Sequence, residues 1–162
     1  LSVRPMLRVA EEKLRALGLE NWSAQVADHR RIPLADGAAD LVISGWSICY
    51  VMVWGGENWR AELDRAFAEM RRVARPGART VLLETLGTGA QTPQPPERLA
   101  PYFEALGALG FQREWIRTDY RFADRGEAES LAEFFFGASM LEKIVEDARG
   151  VILPECTGVW AR

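Results

Sequence analysis

The chain has 162 residues, of which 48% are hydrophobic and 27% charged, and its formal net charge is -3. This length and composition suffice for one hydrophobic core, so we interpret residues 1–162 as a single domain. Arginines are mixed with acidic residues, which leaves no basic face for a phosphate backbone and argues against nucleic acid as a partner.

The two cysteines, Cys49 and Cys156, lie far apart and outside any CxxC or Cys/His spacing, so neither a disulfide framework nor a metal site is indicated. This pattern fits a reducing, cytoplasmic location. No apolar run approaches the ~20 residues of a membrane helix, and no signal-peptide pattern opens the chain, so we expect no membrane partner. Because the first residue is Leu1 rather than Met, we expect the sequence to begin inside a longer protein.

Helix and strand patterns alternate along the chain, which predicts βα units and a mainly parallel sheet. The first helix is predicted from about Pro5 to Gly18, a short strand is predicted at residues 24–27 and a buried strand at 40–44. The next helix has Asn58 as its predicted cap and ends before Pro76-Gly77. Its inner face is predicted to consist of Leu63, Phe67, Met70 and Val73.

The second half continues with a buried strand at residues 79–86 and a loop rich in Gly, Thr and Pro at residues 87–96. The G-x-G in this loop, Gly87-Thr88-Gly89, runs into prolines instead of opening a helix, so we interpret it as a flexible connection rather than a phosphate-binding loop. The remaining predicted elements are a helix at 99–109, a strand at 111–122, a helix at 128–136 and a strand at 158–161.

Two features lie at the predicted carboxyl ends of strands. Asp28 follows the short strand at 24–27, and Gly45-Trp46 follow the strand at 40–44. Since the carboxyl ends of parallel strands open on one edge of a sheet, where ligands bind in such folds, we predict a cofactor site there.

Three segments of the chain resemble one family. These segments are VADHRRIPLADGAADLVISGWSICYV, then ELDRAFAEMRRVARPGARTVLLETLG, then LGF followed by a strand. Together they resemble class I S-adenosylmethionine-dependent methyltransferases, most closely the small-molecule branch called the methyltransferase type 11 group. The resemblance implies a Rossmann-like three-layer α/β sandwich, whose mainly parallel sheet has an antiparallel C-terminal strand, and S-adenosyl-L-methionine as cofactor.

The chain also departs from the family pattern. The family's glycine-rich loop after the first strand, and the acid that ends its second strand, have no counterpart here. By the resemblance, residues 1–7 correspond to the loop and helix just after that acid, so the chain is expected to lack the first two strands and to be the C-terminal portion of a longer domain. In the family's sheet order those strands would lie beside the predicted strand at 24–27, which is then left without hydrogen-bond partners.

The resemblance implies roles for individual residues at the cofactor site. Asp28 would accept a hydrogen bond from the adenine amino group, although an Asp after a strand also often just caps a turn. His29 and Arg30 would place backbone N–H groups against the adenine ring, and Met6 would pack near the adenosine. Gly45, with Trp46, would follow the family's fourth strand, where a glycine allows close approach of backbone to ligand.

Aromatic residues recur after that strand. Trp46, Tyr50 and Trp54 are spaced by four, so in a helix they would line one side of a cofactor or substrate pocket, or equally belong to the core. We assign Tyr50, Trp54 and Trp115 as candidate substrate-binding residues. The catalytic base is not readable from the sequence; His29, Tyr50 and Glu84 are weak candidates.

The later part of the chain contains a run of Phe134, Phe135 and Phe136, together with Trp115 and Tyr120. These residues could shape an acceptor pocket, but we favour the core interpretation for the Phe run. Cys49 lies in an apolar run and is interpreted as an inert buried thiol.

The sequence is compatible with three functions. We favour methyl transfer from S-adenosylmethionine to a small-molecule acceptor by in-line displacement. The alternatives are a noncatalytic methyltransferase-like binding or regulatory subunit and a nicotinamide-dependent oxidoreductase; no Tyr-x-x-x-Lys pattern supports the latter.

Overall fold

The main sheet has four strands. A computed structural model describes residues 4–148 and 150–162. In chain order the strands of the main sheet are β1 (Ala39–Gly45), β2 (Ala74–Thr88), β3 (Gln112–Arg117) and β7 (Glu155–Ala161), and they lie side by side as β1-β2-β7-β3. β1 pairs in parallel with β2, whereas β7 is antiparallel to both β2 and β3. Three strands therefore run one way and the C-terminal strand runs the other, which confirms the predicted Rossmann-like sheet.

Helices, chiefly α3 and α4, cover one face of this sheet. The α-helices of the described residues are α1 (Arg4–Ala16), α2 (Tyr50–Trp54), α3 (Trp59–Val73), α4 (Ala100–Ala108) and α5 (Arg125–Phe136). Side chains of α3 and α4 pack against Leu82 and Leu86 of β2 and Trp160 of β7 in one core. All four residues predicted for the inner face of α3 are buried, as its apolar spacing requires.

The opposite face of the sheet is more open. Strand residues alternate between faces, so Val42 and Ser44 face the core, while Leu41 and Ile43 are 49% and 57% exposed. The prediction of a buried strand at residues 40–44 was therefore right for the strand and wrong for one of its faces.

The predicted strand at residues 24–27 was wrong. The segment pairs with no strand among the described residues, and the nearest ladder contact is an isolated bridge between Asp28 and Arg31. A strand persists only where a neighbour takes its backbone hydrogen bonds, and none of the described strands pairs with this segment. Helix α1 forms as predicted but ends at Ala16, two residues before Gly18, whose φ is 70°.

The predicted strand at residues 111–122 is split between two sheets. Its first part is β3, and its second part is β4 (Tyr120–Phe122), which pairs with β6 (Gly150–Leu153), itself paired with β5 (Val145–Asp147). Helix α5 packs on this second sheet through Ala128 and Ala132. We call β4, α5, β5 and β6 the small unit; β5 and β6 were not predicted.

The start of α5 provides a test of local stability. Asp124 accepts a hydrogen bond from the backbone N–H of Glu127 at 2.8 Å, and Glu127 Oε2 accepts one from the backbone N–H of Ala123 at 2.6 Å. This is a reciprocal cap. We expect Asp124→Ala to lower the free energy of unfolding by about 1 kcal/mol. Urea titration measures it, and Asp124→Asn, which keeps an accepting oxygen, should lose less.

Candidate functional site

The turn after β1 has an unusual backbone. Trp46 has φ of 47°, the only positive φ at a non-glycine residue in the described part of the chain. This left-handed conformation costs on the order of 1 kcal/mol and is concentrated at functional sites. The Trp46 backbone N–H donates to the carbonyl of Leu83 at 2.7 Å, which ties the turn to β2. At Gly45 an added Cβ would meet no atom within 4 Å, so this strand end lies open to a ligand.

Two cavities lie on either side of α2. The first, here called the Asp28 cavity, has a volume of about 440 Å³ and is lined by Asp28, His29, Arg30, Val51 and Trp54, among others. The structure thus brings together three of the predicted cofactor residues. Met6, also predicted for the cofactor, is 74% exposed on α1 and does not line this cavity.

Asp28 is held in a turn by Arg30. Its Oδ1 accepts from the backbone N–H and from Nε of Arg30, each at 2.8 Å, and its Oδ2 accepts from Nη2 at 2.6 Å. Arg30 also donates through Nη1 to Glu62 at 2.6 Å. Hydrogen bonds from Arg30 hold the pKa of Asp28 well below its usual range, so the carboxylate stays ionised. This geometry matches the turn-capping alternative and leaves acceptor capacity for a ligand on the same carboxylate.

The second cavity, here called the Glu84 cavity, has a volume of about 580 Å³. It lies where the carboxyl ends of β1 and β2 meet the small unit. Its walls include Trp46, Tyr50, Glu84, Tyr120, Phe136 and Glu155. Two of the three weak base candidates, Tyr50 and Glu84, therefore share one cavity with Trp46, whereas His29 lines the other.

Glu84 forms part of the wall of this cavity and is fully buried, at 0% exposure. Its Oε1 accepts from the Tyr102 hydroxyl at 2.8 Å and from the Cys49 backbone N–H at 3.2 Å. Its Oε2 has no hydrogen-bond partner among the described residues. Burial raises the pKa of Glu84 and also raises the pKa of the Cys49 thiol to about 12, which agrees with an inert thiol.

Glu155 is a second buried carboxyl group in the same wall, and sequence analysis missed it. It is 2% exposed; its Oε1 accepts from the Thr85 hydroxyl at 2.7 Å, and its Oε2 has no partner within residues 4–148 and 150–162. One signal could have found it. Glu155 is the only charged residue in the run from Val151 to Ala161, and a charge in a buried strand is uncommon unless it has a specific partner.

The structure contradicts the prediction for the phenylalanine run at residues 134–136. The core interpretation of the Phe run was wrong, since Phe134 and Phe135 are 79% and 67% exposed. The buried face of α5 is occupied by Ala128 and Ala132, which leaves the phenylalanines outside that core, where Phe135 and Phe136 line the Glu84 cavity.

The aromatic residues around α2 are also outside the core. Trp46 and Tyr50 are each 45% exposed and Trp54 is 76% exposed. The rings of Tyr50 and Trp54 stack with centroids 5.0 Å apart, so that Tyr50 faces the Glu84 cavity and Trp54 the Asp28 cavity. Trp115, the third predicted substrate residue, lies on the edge strand β3 and lines neither cavity.

The G-x-G at residues 87–89 is a packed contact rather than a loose connection. The backbone N–H of Gly89 donates to the carbonyl of Pro154 at 2.7 Å. A Cβ at Gly89 would lie 2.9 Å from Met140 Sδ and from Lys143 Cγ. The glycines therefore let this loop pack closely on neighbouring segments, and as predicted they do not open a helix.

Part of the chain is similar to a known family. Residues 3–82, which include β1, α3 and the start of β2, match the sequence model of a family described as a methyltransferase domain. This family is the type 11 group that the sequence resembles, and the matched residues are just under half of the chain.

Part of the chain is also similar to a curated methyltransferase. The chain is 38% identical over 80 residues to the demethylmenaquinone methyltransferase of Thermus thermophilus. The alignment covers 49% of the chain but 32% of the relative, so the chain spans about a third of that relative's length.

Solved structures of low sequence identity share the fold of this chain. A SAM-dependent methyltransferase from Aquifex aeolicus is 20% identical with a TM-score of 0.50, over 96% of this chain and 62% of that one. The cyclase SpnF is 19% identical with a TM-score of 0.51, over 96% of this chain and 60% of that one. Because a protein described as a cyclase shares the fold, the fold alone does not fix the chemistry. The described residues include no helix that is long and apolar enough to cross a membrane.

The buried Glu84 predicts a pH dependence of stability. Its pKa is raised above 4.5 by burial, so the folded state binds this proton more tightly than the unfolded state. Glu84 contributes its whole stabilisation at pH values below its pKa in the unfolded state. This contribution is lost as the pH rises through its pKa in the folded state. We expect Glu84→Gln to reduce the loss of stability as the pH rises above the ordinary range of a glutamate carboxyl.

Urea titrations of the original and variant proteins at a series of pH values from that range upwards measure the effect. Glu104→Gln, the same substitution at an exposed position on α4, is the matched control and should not change the slope. Equal slopes for the original protein and Glu84→Gln would show that Glu84 does not titrate in this range.

Proposed function

We propose that the complete protein binds S-adenosylmethionine and transfers its methyl group to a small-molecule acceptor held in the Glu84 cavity. The main support for this proposal is that the region matched by the methyltransferase family contains the strained turn at Trp46, which forms part of the cavity wall. Since the chain spans about a third of its curated relative, the proposal concerns the complete protein.

The residues present fit this cofactor. The ionised Asp28 offers an acceptor for the adenine amino group, and the adjacent turn offers the backbone N–H of His29. Gly45 leaves the end of β1 without a side chain, so a ligand can approach the backbone there. When bound, S-adenosylmethionine supplies an electrophilic methyl group on a cationic sulfur.

The chain's own contribution is alignment and exclusion of water. In-line displacement needs the nucleophile held close to the methyl group, in a site that water does not fill. Trp46 and Tyr50 on one side, and Phe136 of the small unit on the other, form apolar walls of the cavity. Tyr50 and Glu84 are better placed than His29 to receive a proton from an acceptor, because they line the cavity where the acceptor is proposed to bind.

The test uses the complete protein and methyl-labelled S-adenosylmethionine. The protein is incubated with an extract that contains small molecules, proteins and nucleic acids, and the label is then separated by molecular mass. We expect protein-dependent label in the low-mass fraction, with heat-treated protein as control. Label in the protein or nucleic-acid fraction would contradict a small-molecule acceptor.

A noncatalytic binding or regulatory subunit remains the second candidate. It is favoured by one observation: within the described residues, no glycine-rich loop opens a helix after a strand. A glycine-rich loop encoded just upstream of Leu1 would count strongly against it. The family match favours methyl transfer over the oxidoreductase alternative.

A further inference from the structure

Two carboxyl groups in the Glu84 cavity each have one satisfied and one free oxygen. Glu84 Oε1 accepts from Tyr102, and Glu155 Oε1 accepts from Thr85, but neither Oε2 has a partner among the described residues. Both side chains are at least 98% buried and both line the cavity. Buried polar atoms normally have hydrogen-bond partners, because leaving one unpaired is costly. Two such atoms in one cavity wall indicate a ligand that donates.

No described side chain forms an ion pair with either of these carboxyl groups, Glu84 and Glu155. Arg98 also lines the cavity, but it is exposed to solvent. A metal ion is a poor occupant, because no group of three or more candidate metal ligands occurs within the described ranges. A carboxylate or phosphate ligand offers acceptors rather than donors and would leave both oxygens unpaired.

Aromatic side chains form the rest of the recognition surface. Tyr50 of α2 lies on one side, and Tyr120 and Phe136 of the small unit lie on the other, with the rings of Tyr120 and Phe136 5.5 Å apart. Such walls favour a flat apolar body, and they also attract cations.

We propose that this cavity selects an acceptor with an aromatic body and N–H or O–H hydrogen-bond donors, which the free oxygens of Glu84 and Glu155 accept. The inference rests on the proposed function, since it names the class of acceptor for the same site. Glu84 and Glu155 are then specificity-determining residues. An aromatic body can carry either an ammonium group or hydroxyl groups as its donors, and separate probes distinguish the two.

The experiment measures binding of two matched pairs of small probes to the complete protein, with and without S-adenosylhomocysteine. Catechol is compared with 1,2-dimethoxybenzene, and phenethylamine with ethylbenzene, by NMR titration. We expect the donor-bearing member of at least one pair to bind about tenfold more tightly than its donor-free partner. Preference within the first pair assigns a hydroxyl donor, and preference within the second assigns an ammonium donor.

Variants assign the preference to the carboxylates. Glu155→Gln and Glu84→Gln place an amide in the same space, and at least one of them should reduce the preference about tenfold. Glu104→Gln on α4 is the matched control and should leave it unchanged. Equal binding of both members in both pairs, or a preference that survives both cavity substitutions, would overturn the proposal.

The outcomes separate this inference from the proposed function. If S-adenosylhomocysteine does not bind, the proposed function fails, yet the probe titrations without it still measure the donor preference. If instead the Gln variants lose affinity for S-adenosylhomocysteine itself, the carboxylates belong to the cofactor site and the acceptor proposal is overturned.

Discussion

Replacing Asp28 with alanine in the complete protein is expected to weaken binding of S-adenosylhomocysteine by about 10- to 100-fold, equivalent to about 1–3 kcal/mol. The loss reflects one hydrogen bond between an ionised carboxylate and the adenine amino group. The same substitution breaks the pair with Arg30, but both side chains are about half exposed, at 49% and 47%, so this contact contributes little to stability. Calorimetric titration measures the affinity.

Arg30→Ala is the matched control for that experiment. It removes the guanidinium that holds Asp28 but keeps both the carboxylate and the backbone N–H. The control should therefore bind S-adenosylhomocysteine more tightly than Asp28→Ala does. Unchanged affinity in a folded Asp28→Ala protein would show that Asp28 only caps its turn.

Replacing Trp46 with alanine should lower the rate of methyl transfer about tenfold or more while leaving the protein folded. The indole is 45% exposed and lines the Glu84 cavity, so its removal enlarges the site more than it disturbs the core. The rate is measured as protein-dependent label in the low-mass fraction, and stability by urea titration.

Trp46→Phe keeps an aromatic ring at the same backbone and should recover part of the rate. Trp46→Gly removes the side chain and also relieves the positive φ, so it should be at least as stable as Trp46→Ala. A large loss of stability in Trp46→Ala, with a proportionate loss of activity, would mean that Trp46 has a structural role rather than a role in the site.

Local sequence patterns predicted several elements that have their partners within the chain, although not β5 and β6. The apolar run after Arg79 became the middle of β2, because β1 and β7 pair with it on both sides. The spacing of Leu63 and Phe67 predicted the buried face of α3, because the sheet that this face packs against is part of the chain. The segment at residues 24–27 has a strand-like pattern without a partner, and pattern alone could not replace the missing backbone hydrogen bonds.

The site was predictable only in part. Gly45 and Trp46 could be located because a strand end is a property of the sequence pattern. Glu155 is more than 100 residues from Trp46 in the sequence, and the antiparallel return of β7 brings both to one cavity. The exposure of Phe135 depends on which face of α5 the second sheet covers, and that sheet was not predicted.

The most direct test of the account is calorimetric titration of S-adenosylhomocysteine into this chain and into a form extended upstream through the two further strands that the resemblance predicts. We predict that the extended form binds and that this chain alone binds weakly or not at all, since Asp28 and Gly45 supply one part of a shared site. A folded extended form that does not bind would contradict the account and favour the noncatalytic module.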